Sequence, residues 1–138
     1  MLQKRRAKKR QKKILTWIGI AGLIVLILGG FAWTSRGNPN MISIDDAYQK
    51  YQNGAFVLDV RTQEKWNEHH ISDATLIPLD DLTSRINEVP KDQEIIIVCR
   101  SGNRSQVGLD ILLEAGFEQV TYISGGLEAW INAGYPVE

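Results

Sequence analysis

Apolar residues in this 138-residue chain fall into one long block followed by a series of short ones. The long block, Ile14 to Trp33, carries no charged side chain. As a helix it spans roughly 30 Å, the thickness of a bilayer's hydrocarbon core. The short blocks begin at Met41. Near-continuous apolar runs of strand length occur at Met41-Ile42, Phe56-Val57-Leu58, Thr75-Leu76-Ile77, Glu94 to Val98 and Val120 to Ile123. Helix-start signals lie between them. Ser43 caps a helix from Ile44 to about Gln52, with Asp45 and Asp46 in its first turn. Thr62 caps 63–68, Asp80 or Asp81 opens 82–88, Ser105 opens 106–115, and a last helix covers 126–133. Gly54, Gly116 and Gly134 stand just past three of these helices, where a left-handed residue commonly ends the last turn.

This alternation predicts an α/β domain: a parallel sheet of about five strands with helices on both faces, preceded by one transmembrane helix. In such sheets the site lies at the carboxyl ends of the strands. Three strands end in residues suited to chemistry: Leu58 runs into Asp59-Val60-Arg61, Val98 into Cys99, and Ile123 into Ser124-Gly125-Gly126.

Charge sharpens the division. Eight of the sixteen basic residues, and none of the sixteen acids, lie in 1–13, so 14–138 carry a net charge of −8. The basic run abuts the apolar block directly and has no interleaved aromatics, which favours a membrane setting over nucleic-acid binding. Trp17 and Trp33 sit near the two ends of the block, at interfacial depth. The expected organisation is a basic cytoplasmic tail (1–13), a transmembrane helix (14–33), a polar linker (34–40) reaching about 25 Å at most, and a globular domain (41–138). By the positive-inside rule the expectation is a single-pass cell-membrane protein with its globular domain extracytoplasmic. A cleaved signal peptide is the competing account. It has a shorter apolar core of about 7–15 residues and a small-x-small site, of which Gly30-Phe31-Ala32 is a poor version.

Cys99 is the only cysteine, so no intramolecular disulfide is available. It follows the run Ile95-Ile96-Ile97-Val98 and opens the segment Cys99-Arg100-Ser101-Gly102-Asn103-Arg104, which leads into a helix. A thiol delivered by a strand to a helix N-terminus meets backbone N–H groups and a dipole that favour negative charge, and two arginines add to both. The same donors suit an anionic substrate beside a nucleophilic sulfur. The spacing is Cys-x4-Arg, with Ser105 where the Cys-x5-Arg of cysteine-dependent phosphatases and arsenate reductases requires arginine. The shorter loop encloses a smaller cradle, better suited to a sulfur-bearing substrate than to a phosphoryl group.

Four stretches from about 41 to 138 together resemble a single-domain rhodanese, a thiosulfate sulfurtransferase-type module. They are Leu58-Asp59-Val60-Arg61; Glu64, Trp66, His70-Ile71, Ala74 and Ile77-Pro78-Leu79; Cys99 to Ser105; and Gly125-Gly126, Ala129-Trp130 and Ala133-Gly134-Tyr135-Pro136-Val137. The resemblance implies that the Cys99 thiolate attacks the outer sulfur of a donor such as thiosulfate, releases sulfite, and passes its persulfide to cyanide, a thiol or a protein sulfur acceptor. It also implies that Arg100, Ser101, Gly102, Asn103, Arg104 and Ser105 form the binding loop. Arg100 and Arg104 would hold the anion, favouring thiosulfate over less charged donors, and Gly102 would let the loop curve. No cofactor is implied.

Other residues have structural readings. Asp59 and Arg61 are expected to pair and brace the loop, His70 to be a hydrogen-bonded structural residue, and Trp130 with Pro136 to close the C-terminal end of the core. A metal site at His69-His70 lacks further ligands at suitable spacing. Cys–His protease chemistry requires one of these histidines beside Cys99. Asp73 stands where the family often has glycine, and Asp tolerates left-handed geometry. A sulfur-carrying or sensing module with low turnover, serving a protein partner, is the alternative to an enzyme. A phosphatase ranks below it, and a disulfide oxidoreductase lacks its second cysteine.

Overall fold

The computed structural model describes residues 38–138. The expected basic tail, the transmembrane helix and linker residues 34–37 lie outside the described residues. Among the described residues, no helix is long and apolar enough to cross a membrane. The folded unit begins before Met41. Asn40, expected to be linker, donates its side-chain amide to the Val120 carbonyl and accepts the Tyr122 N–H, both at 2.9 Å.

Five strands, β1 (Met41–Ile42), β2 (Phe56–Asp59), β3 (Thr75–Leu76), β4 (Ile95–Val98) and β5 (Val120–Ile123), make one parallel sheet in the order β1-β5-β4-β2-β3. The helices are α1 (Ile44–Gln52), α2 (Gln63–Glu68), α3 (Leu79–Leu82), α4 (Asn103–Glu114) and α5 (Gly126–Asn132). Period-two alternation in the central strands gives each face its own core. Leu58, Ile95 and Ile97 turn to the face covered by α3 and α4, where Leu82, Leu109, Leu112 and Phe117 meet them. Val57, Ile96 and Val98 turn to the face covered by α1 and α5, against Ala47, Leu127 and Trp130. Each fully buried Leu or Ile contributes about 1.5–3 kcal/mol, so the four consecutive buried residues of β4 anchor the segment that carries Cys99.

The caps expected at Ser43 and Thr62 form, accepting the N–H groups of Asp46 and Lys65. Two expectations are corrected. The helix expected over 82–88 starts earlier and is broken into α3 and a separate 3-10 turn at Ile86–Glu88. Pro78, with φ fixed at −51°, sets the start, and buried Leu82 pins α3 to the core before Arg85 leaves helical geometry at ψ 16°. The helix expected to open at Ser105 begins at Asn103 instead, with left-handed Gly102 (φ 105°) as its first flanking residue and no side-chain cap. A capping side chain at 102 would occupy the first-turn N–H groups, whereas glycine leaves that end open. Asp73 does adopt the left-handed conformation, at φ 60°.

Candidate active site

The site is assembled where β2 and β4 end side by side. Asp59 pairs in register with Val98, and the Val60 N–H donates to the Val98 carbonyl at 3.0 Å, so Asp59-Val60-Arg61 and Cys99 leave the sheet together. Cys99 is 2 % exposed, and its Sγ accepts the Gly102 N–H at 3.1 Å. The chain thus curls back over the sulfur before entering α4, a twelve-residue helix whose dipole points its positive end at the loop.

The outward carbonyls of the loop are held from a third strand end. After β5, Gly125 and Gly126 both take positive φ (76° and 59°). The chain then presents the Leu127 N–H to the Cys99 carbonyl at 2.8 Å and the Glu128 N–H to the Arg100 carbonyl at 3.1 Å. Unpaired N–H groups at the start of α5 and unpaired carbonyls of the loop satisfy one another. The approach is so close that a Cβ on Gly126 would lie 2.5 Å from the Cys99 oxygen and 2.7 Å from that of Arg100. That backbone leaves no room for a side chain.

Asp59 and Arg61 pair as expected. Both are buried (0 % and 4 % exposed), with Arg61 Nη2 2.7 Å from Asp59 Oδ2 and Arg61 Nε within 3.0 Å of both carboxylate oxygens. Arg61 Nη1 and Nη2 also donate to the carbonyls of Lys65 and His69. Every nitrogen of the guanidinium is therefore engaged in holding α2 and the following turn against the sheet. His70 stacks on Trp66 with ring centroids 3.7 Å apart, and its Nδ1 lies 3.1 Å from the Trp66 carbonyl. Its backbone exchanges two 2.8 Å hydrogen bonds with Glu138. The Trp130 indole, fully buried, donates to the Pro136 carbonyl at 2.9 Å.

A cleft of about 320 Å³ opens beside this loop, lined by Arg61, Lys65, Glu68, His69, Arg100, Arg104, Leu127, Glu128 and Ile131. Of the residues expected from the sequence, Arg61, Arg100 and Arg104 reach the cleft, whereas Ser101 and Asn103 are exposed elsewhere on the loop. Ser105 lies fully buried beneath it, its hydroxyl without a hydrogen-bond partner among the described residues. Such an unpaired hydroxyl costs about 1–3 kcal/mol. Arg100 does not stand free. Its Nε donates to Glu128 Oε1 at 2.6 Å, an interaction that raises the guanidinium above its ordinary pKa. Across the cleft the Lys65 ammonium, 2.6 Å from Glu68, holds that carboxyl below the usual carboxylate range.

Sequence reasoning did not find Lys65, Glu68, Leu127, Glu128 and Ile131. The i,i+3 spacing of Lys65 and Glu68 signals their mutual pairing, and an acid in the first turn after Gly125-Gly126 was legible. Their arrival at one cleft was not.

Comparison with known proteins gives the same assignment. The family model for the rhodanese-like domain matches residues 43–133. A sulfurtransferase of Allochromatium vinosum is 35 % identical over 81 residues, covering 59 % of this chain and 76 % of that protein. The candidate sulfur carrier protein YrkF of Bacillus subtilis is 35 % identical over 74 residues, covering 54 % of this chain and 40 % of its own. The crystal structure of a rhodanese-related protein from Thermoplasma volcanium superposes with a TM-score of 0.67 at 28 % identity, over 72 % of this chain and 97 % of that one.

Proposed function

Because the chain belongs to the rhodanese-like domain family, we propose that it moves sulfane sulfur from a small anionic donor to a nucleophilic acceptor through a persulfide on Cys99. The observation that carries this reading is the placement of the lone cysteine: its sulfur accepts the Gly102 N–H at 3.1 Å, at the head of α4, inside a loop of Cys-x4-Arg length. The Cys99 thiolate attacks the outer sulfur of a thiosulfate-like donor. A sulfur–sulfur bond forms at Cys99 while the donor's own sulfur–sulfur bond breaks, its electron pair leaving with sulfite. The persulfide then gives its outer sulfur to cyanide, a thiol or a protein acceptor, and Cys99 is regenerated as thiolate. Backbone N–H groups of the loop hold the negative charge in each state.

The setting we propose is extracytoplasmic, with residues 14–33 as an uncleaved membrane anchor and 1–13 in the cytoplasm, on the strength of the uncharged block and its basic flank. A second reading, a sulfur carrier of low intrinsic turnover serving a protein partner, is favoured by the likeness to YrkF. Full-length protein incubated with thiosulfate and cyanide should yield sulfite and thiocyanate, and Cys99→Ala should remove the activity entirely. Turnover that survives that substitution refutes the mechanism. A persulfide mass on Cys99 without appreciable turnover selects the carrier.

A further inference from the structure

The charges around the cleft pair off unequally. Four lining residues are arginine or lysine, and three of them are occupied: Arg61 by Asp59, Lys65 by Glu68, and Arg100 by Glu128, with closest N···O distances of 2.7, 2.6 and 2.6 Å. Arg104 enters no ion pair among the described residues. An anion entering this cleft, which opens beside the Cys99 loop, therefore meets one guanidinium outside any ion pair instead of the two that the loop sequence supplies. The lining also carries the exposed Ile131, which offers an uncharged body a surface to rest on.

We propose that Glu128 is a specificity-determining residue of this site: by occupying Arg100 it turns the cleft away from doubly charged sulfur donors and towards singly charged ones. The inference rests on the sulfur-transfer reading and names the charge class of its donor. Glu128 is well placed for this, because its own N–H is fastened to the Arg100 carbonyl at 3.1 Å. Backbone and side chain of one residue thus grip backbone and side chain of the other. The carboxylate also adds negative charge to the lining of the cleft. The Lys65–Glu68 pair opposite is likewise neutralised.

Two donors that undergo the same sulfur–sulfur exchange separate charge from chemistry. Thiosulfate is a dianion and releases sulfite. Methanethiosulfonate is a monoanion and releases methanesulfinate, the electron pair of the broken bond leaving with the sulfinate. Neither step needs an oxidant or reductant. The Arg100–Glu128 pair is exposed (75 % and 52 %), and such exposed pairs couple weakly. Glu128→Gln in the full chain should therefore raise the thiosulfate-to-methanethiosulfonate ratio of kcat/KM by roughly 1.4- to five-fold. The gain should vanish in an Arg100→Gln background and shrink at 1 M salt. A ratio left unchanged by Glu128→Gln, or a gain that persists without Arg100, overturns the proposal while leaving sulfur transfer intact. Failure of both donors to load a persulfide onto wild-type Cys99, read by intact mass, overturns the sulfur-transfer reading and this inference with it.

Discussion

Two arginine–carboxylate pairs stand at the same end of the sheet and behave as opposites. Asp59 and Arg61 are two residues apart, buried, and joined by a fork of contacts in which every guanidinium nitrogen is used. Arg100 and Glu128 are 28 residues apart, exposed, and joined by one 2.6 Å hydrogen bond. The first pair cannot release its arginine to a substrate without leaving a carboxylate buried and uncompensated, so it belongs to the architecture. The second is exposed and weakly coupled, so the charge it presents to the cleft can change without cost to the fold. Proximity to Cys99 thus does not assign a role to an arginine; what else holds its guanidinium does.

The sharpest way to break this contrast is Asp59→Asn. It strips the charge from the buried pair and should lower stability by about 3–5 kcal/mol in denaturant unfolding. A loss below about 1 kcal/mol would place Arg61 among the adaptable residues instead. Next comes Gly126→Ala, which acts on the clamp between the two regions. The added methyl meets the Cys99 and Arg100 carbonyls at 2.5 and 2.7 Å in a left-handed conformation, so we expect a loss of at least about 2 kcal/mol. Persulfide loading of Cys99 should fall with it, because the loop carbonyls lose their donors. Normal loading in a folded Gly126→Ala protein would show that the clamp is not needed to shape the loop. The smallest effect belongs to Glu128→Gln, whose stability should stay within about 0.5 kcal/mol of wild type even as its donor preference changes. A large destabilisation there would move the exposed pair into the architectural class and erase the distinction.

Much of the fold could be read locally. The five strand runs, the caps at Ser43 and Thr62 and the left-handed Gly54, Gly116 and Gly134 depend on neighbours within a few residues, and all appear as expected. The failures lie where tertiary packing competes with a local signal. Ser105 has the chemistry of a cap, yet it is buried inside α4 because the loop brings Gly102 to the helix start. Asp80 and Asp81 look like helix openers, but Pro78 and the burial of Leu82 set α3 earlier.

The same distinction applies to the site. Loop length, the lone thiol and the apolar strand that delivers it are properties of consecutive residues, and the amino-acid sequence alone determined them, together with the α/β class and the rhodanese-like family they point to. The sheet order β1-β5-β4-β2-β3 decided the rest. By setting the end of β5 beside that of β4, it brought Gly126 onto the Cys99 carbonyl and Glu128 onto Arg100. No local signal encodes which charge reaches which across 28 residues. That follows from which strand ends are neighbours, and strand neighbours are selected by the burial of both sheet faces at once.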